Sequence, residues 1–148
     1  MLRKIITLLC LTLCIMSYAQ ERVNFQTDGP GVISLRVTAY GKKVKDATAI
    51  AEMAAVKSIL FRGVPGSNQV ETPLAGTDED AIMTQHKDYF NELFGNGRYR
   101  SFILSNVLVT GFAKDATKKK CLTADIKVNL NALRSDLETH QVIRKFGF

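Results

Sequence analysis

The 148-residue chain carries 20 lysines and arginines against 14 aspartates and glutamates, a formal charge of +6, with two histidines, three cysteines and no tryptophan. That charge is mildly basic, too small by itself to mark a nucleic-acid binder. The length suits one domain with a real core, and of the three cysteines only Cys121 lies beyond the first twenty residues, where one thiol excludes an internal disulfide framework.

The chain opens on Arg3 and Lys4 and then runs apolar from Ile5 to Met16. A basic start followed by an apolar run is the pattern of a secretory signal, and the run falls short of the roughly 20 residues a membrane-spanning helix needs. Ser17 and Ala19 supply the small residues of a cleavage site, so residues 1–19 are expected to be removed and the mature chain to begin at Gln20. The alternative is a lipid anchor at Cys10 or Cys14, but a leucine precedes each cysteine, which fits a lipoprotein signal poorly. Removing residues 1–19 leaves 18 basic and 14 acidic residues, a net charge of +4, and Cys121 as the remaining thiol.

Residues 20–30 are polar and end in Asp28-Gly29-Pro30, the composition of an extended leader into a single domain over residues 31–148. Gly31 to Gly41 alternates, with Ile33, Leu35, Val37 and Ala39 on one face, which predicts a strand with one wet side. Asp46 is expected to cap a helix from about Ala47 to Phe61 whose alanine-rich stripe lies close against a sheet, with Gly63 as its stop.

Val64 to Gly76 holds too many breakers for an element, yet Val70 and Leu74 are there to pin it, and its length makes it a candidate for function. Thr77 with Asp80 gives a capping-box-like spacing for a second helix, with Ile82, Tyr89, Phe90, Leu93 and Phe94 on its apolar side and Gly95-Asn96-Gly97 at its end. Arg98 to Leu104 reads either as a helical turn or as the lead into a strand. Asn106 to Ala113 and Cys121 to Leu130 read as a hairpin, and Asn131 as the cap of a last helix through about Lys145. The order strand, helix, helix, strand, strand, helix predicts an α+β fold: a mostly antiparallel sheet of about three strands with helices on one face.

The chemistry-bearing residues do not converge in the sequence. Cys121 with His86 or His140 is the one conceivable nucleophile pairing, and Cys121 at the start of a strand has a complete packing explanation. Asp78, Glu79 and Asp80 are adjacent, as first-turn residues of a helix are, and no histidine or cysteine spacing suits a metal. Glycine-rich phosphate loops and a G-x-S-x-G elbow are missing from the sequence, so no catalytic residue, metal or cofactor is assigned.

The strand ending in Gly41, the basic residues after it and the run Asp46-Ala47-Thr48-Ala49-Ile50-Ala51-Glu52-Met53-Ala54-Ala55-Val56 resemble the LPP20 lipoprotein family and the N-terminal domain of FlgT-type flagellar assembly proteins. The signal ending in Ala19-Gln20 is similar to those of Bacteroidetes secreted proteins, although a lipobox is lacking. The resemblance spans about residues 31–62 and implies an accessory or assembly module of the cell envelope without catalysis.

The resulting expectation is a periplasmic or secreted, non-enzymatic interaction module with a protein partner in the envelope and no nucleic acid. Its surface is expected on the loop Val64 to Gly76, through Val64, Pro65, Val70 and Leu74, together with Arg98, Tyr99, Arg100 and Phe102. Two rivals stay open: an exported hydrolase with a site assembled from distant residues, and a binder of an anionic polymer or membrane surface through Lys118 to Lys120 and Arg98 to Arg100.

Overall fold

The computed structural model describes residues 21–145, so the expected signal, its cleavage site and the lipid-anchor alternative lie outside the described residues. Four strands form one antiparallel sheet: β1 (Arg22–Gly29), β2 (Val32–Tyr40), β3 (Ile103–Lys114) and β4 (Lys120–Asn129), in the spatial order β1-β2-β4-β3. The helices are α1 (Val44–Lys57), α2 (Glu79–Gln85), α3 (Lys87–Phe90) and α4 (Leu130–Thr139). α1 runs on into a π turn over Ser58–Arg62, α3 into another over Asn91–Gly95, and a 3₁₀ turn covers Arg98–Phe102.

The alternation of β2 and β4 decides the core. Ile33, Leu35, Val37 and Ala39 of β2 and Leu122, Ala124, Ile126 and Val128 of β4 are wholly buried, and each set occupies every second residue of its strand. Against them pack Ala47, Ala51, Ala54, Ala55 and Val56 of α1, whose small side chains bring the helix close to the sheet. Gly41 marks how close: a Cβ there would collide with the backbone nitrogen of Ala47. On the wet face Arg36 donates twice to Asp125 at 2.8 Å and Thr38 meets Thr123 at 2.9 Å, the cross-strand pairs expected of a solvated sheet.

The α+β class and the antiparallel sheet agree with the sequence expectation, while the strand count does not. The fourth strand is β1, inside the segment read as an extended leader. Val23 and Phe25 are its two side chains packed against the core, too few to produce an alternating pattern in a polar segment. Several boundaries also differ. Lys43 rather than Asp46 occupies the N-cap of α1, without a side-chain cap, and Asp46 sits in the first turn. Asp78 caps α2 by accepting from the Ala81 N–H, and Asn129 caps α4 by accepting from the Ala132 N–H. The expected second helix divides at His86, and the last helix stops at Thr139, with Val142 and Ile143 half-buried beyond it.

Candidate functional site

The loop from Val64 to Gly76 is held to the body of the domain along its length. The Gln69 amide accepts from the Gly31 N–H at 2.9 Å and donates to the Gly29 carbonyl, which fastens the loop to the β1–β2 turn. The Ser67 hydroxyl donates to Asp28 and accepts from the Gln69 and Val70 N–H groups. Further on, the Leu74 and Ala75 N–H groups donate to the carbonyls of Ile59 and Leu60 in the π turn. Val64 and Val70 are buried in the core cluster, Leu74 is half-buried and Pro65 is exposed.

The 3₁₀ turn divides in the same way. Tyr99 and Phe102 are buried, and burial pushes the Tyr99 phenol up. Arg98 donates to both oxygens of Asp136, at 2.8 and 2.9 Å, and lies over the Tyr89 ring. Exposed Arg100 faces Glu52 at 3.4 Å. Of the surface expected from the sequence, the side chains a partner reaches are therefore Pro65, Leu74, Arg98 and Arg100. Val64, Val70, Tyr99 and Phe102 serve the core, because apolar residues in an irregular segment are what anchors it.

Tyr89, Arg98, Asp136 and His140 form a structural clamp. Tyr89 donates to Asp136 at 2.8 Å and its ring rests on that of His140, at 5.1 Å between centroids. Burial raises the Asp136 carboxyl, but hydrogen bonds from Arg98 and Tyr89 outweigh it and hold the group below the ordinary carboxylate value. Burial first, and then the bond to Asp136, raise the Tyr89 phenol. Groups tuned in these directions tie α3 and the 3₁₀ turn to α4, with each charge compensated.

Cys121 stands opposite Tyr40 and Ala113 in the sheet. Its thiol is raised by burial and by the nearby Asp115 carboxylate, the reverse of what an activated nucleophile requires. Among the described residues no group of three or more His, Cys, Asp and Glu side chains is placed to hold a metal, and no helix is long and apolar enough to cross a membrane.

The feature that the core does not explain lies on β3. Leu104, Val107, Leu108 and Val109 are 53, 59, 52 and 43% exposed on a single edge strand. Val107 is paired with Asp125 and so faces the wet side, whereas Leu108 is paired with Ala124 and faces the helical side. α1 meets this strand at Asn106, where the amide nitrogen donates to Glu52 at 2.9 Å. Beyond that contact Leu108 is left uncovered, so the strand presents apolar groups on both of its faces. The sequence marked β3 as a strand; its position at an edge follows from the sheet order, which periodicity does not encode.

No protein-family model matches the chain, and no curated protein and no solved structure matches it.

Proposed function

We propose that the chain is a non-enzymatic interaction or assembly module of the cell envelope, exported on its N-terminal signal, which docks its partner along the free edge of β3. The observation that carries this reading is the run of exposed aliphatic residues Leu104, Val107, Leu108 and Val109 on an edge strand whose first charged residue is Lys114. A long, neutral, apolar edge is a liability that folded proteins ordinarily suppress with charge, proline or cover. Covering one face of β3 would leave the other face apolar. An added strand covers both, because its own side chains alternate between the two faces while its backbone takes up the unpaired N–H and C=O groups.

The opposite edge has a different character. β1 places Arg22 and Asp28 at its two ends and turns Val23 and Phe25 toward the core. Export is supported by the basic start, the apolar run and the small residues at 17 and 19.

A photo-crosslinking side chain at Val107 or Leu108, in the full chain produced in its native envelope, tests the docking edge. The expected result is a discrete adduct from both positions and none from Thr38 in the middle of the wet face. An equal yield from Thr38, or no adduct from β3, overturns the reading.

A further inference from the structure

We propose that the groove between β1 and the end of α1 binds a small apolar α-amino acid as its zwitterion, with the carboxylate on Arg62 and Ser58 and the ammonium group on Glu21. The groove lies at the opposite side of the sheet from β3, so this site and the docking edge stand or fall separately.

Two periodicities build the groove. Val23 and Phe25 turn toward the helical face of the sheet, and the same alternation carried back one step puts Glu21 on that face. On α1, Ile50, Met53, Ala54, Lys57 and the adjoining Ser58 stand at i, i+3, i+4, i+7 and i+8, one stripe of a helix, and the π turn that begins at Ser58 adds Arg62. Between these walls run two cavities. One, of about 410 Å³, lies over Val23 and Phe25 and is bounded by Ser58, Val64 and Pro65. The other, of about 290 Å³, lies along Ile50, Met53 and Ala54. Glu21 and Arg62 line both, so the groove carries one charge of each sign where its two halves adjoin.

The fold leaves the polar groups of this groove unused. Ser58 is only 3% exposed, yet its hydroxyl makes no hydrogen bond to another described residue and opens on the larger cavity. Buried hydroxyls ordinarily have a partner. Arg62 forms no ion pair among the described residues, in contrast to Lys57 on the same stripe, which is tied to Glu79 at 2.6 Å. Glu21 forms none either, and the two charges do not reach each other. A guanidinium with a hydroxyl one turn away suits a carboxylate, which accepts from both. A plain carboxylate would leave Glu21 uncompensated, and a plain amine would leave Arg62 so. A zwitterion satisfies both, and its apolar side chain fills the cavity over Val23 and Phe25.

Volume sets the size of the ligand. A cavity of about 410 Å³ stands at the small end of ligand sites, which span roughly 300–1,000 Å³, and holds a branched aliphatic side chain with room to spare. Leucine, with about nine non-hydrogen atoms, at an intermediate energy per atom gives a dissociation constant of roughly 10 µM to 1 mM.

Isothermal titration of the purified mature chain with L-leucine reads the site directly. The expected result is saturable binding of leucine, with isocaproate, which lacks the ammonium group, and leucinamide, which lacks the carboxylate, each at least about tenfold weaker. Arg62→Ala, Glu21→Gln and Ser58→Ala should each weaken leucine by about tenfold or more while thermal unfolding without ligand stays that of wild type, because none of the three side chains is bonded to another described residue. Glu21→Gln should also abolish the preference for leucine over isocaproate, which a general disturbance of the surface would not do. The absence of saturable binding up to about 10 mM leucine, isocaproate or leucinamide bound as tightly as leucine, or any of the three variants binding leucine as wild type does overturns the proposal.

Discussion

Asp136 receives Arg98 and Tyr89 at once and is largely buried, so its carboxylate is the charge that the clamp is built around. Replacing it by asparagine leaves a partly buried guanidinium without its counter-charge and should cost about 1–3 kcal/mol of stability at neutral pH. The pH dependence has a definite sign. The folded carboxyl lies below its unfolded value of about 3.9, so its stabilisation is full above that value and is lost as the pH falls through the lower folded one. Urea unfolding of wild type and Asp136→Asn at pH 7 and then progressively toward pH 2.5 should show a gap that narrows on acidification. A gap that stays constant would mean that Asp136 contributes by packing alone. None of this clamp was legible in the sequence, because Tyr89, Arg98 and Asp136 come from three elements and no spacing relates them. Asn129 and Asp78 are the opposite case: each caps its own helix, and the sequence came within two residues of both.

The loop from Val64 to Gly76 behaves as a latched connection at the scale of the elements. Its anchor is Gln69, which bridges both sides of the β1–β2 turn, and the turn needs Gly31 because its backbone adopts φ +67° against the Asn131 side chain. Gln69→Ala leaves the Gly31 N–H without its acceptor and should cost about 1–2 kcal/mol, with faster proteolytic cleavage inside residues 64–76. Unchanged cleavage would show that Val64 and Val70 hold the loop alone. Breaker residues announced that this segment is irregular, and its aliphatic residues announced that it is pinned. What they could not announce is the place of pinning, since Gln69 looks like any polar loop residue until the strand in front of Gly29 is known. That strand leaves no signature in the sequence for a related reason: with Val23 and Phe25 as its inward pair, β1 owes its existence to pairing with β2 and little to its own pattern.

Over the whole molecule, β2 and β4 were readable almost residue by residue because both are central strands with one buried face, where period-2 alternation is strongest. β3 was readable as a strand and unreadable as a surface. Its aliphatic residues suggest core to anyone counting them, and only the order β1-β2-β4-β3, with α1 reaching as far as Asn106, leaves them in solvent. The candidate site is thus made of residues exposed by topology, while among those that local composition favours Pro65, Leu74, Arg98 and Arg100 keep some access to solvent. Alternate amides of an antiparallel edge strand point away from their neighbour and exchange freely until another strand covers them. Amide hydrogen exchange along Ile103–Lys114, compared between the purified chain alone and the chain mixed with an extract of its native envelope, reads that cover directly. Marked slowing is expected at the outward amides between Leu104 and Val109 once the extract is present, with β1 unaffected; rates on β3 that do not change, or slowing that falls on β1 instead, would contradict docking at the β3 edge.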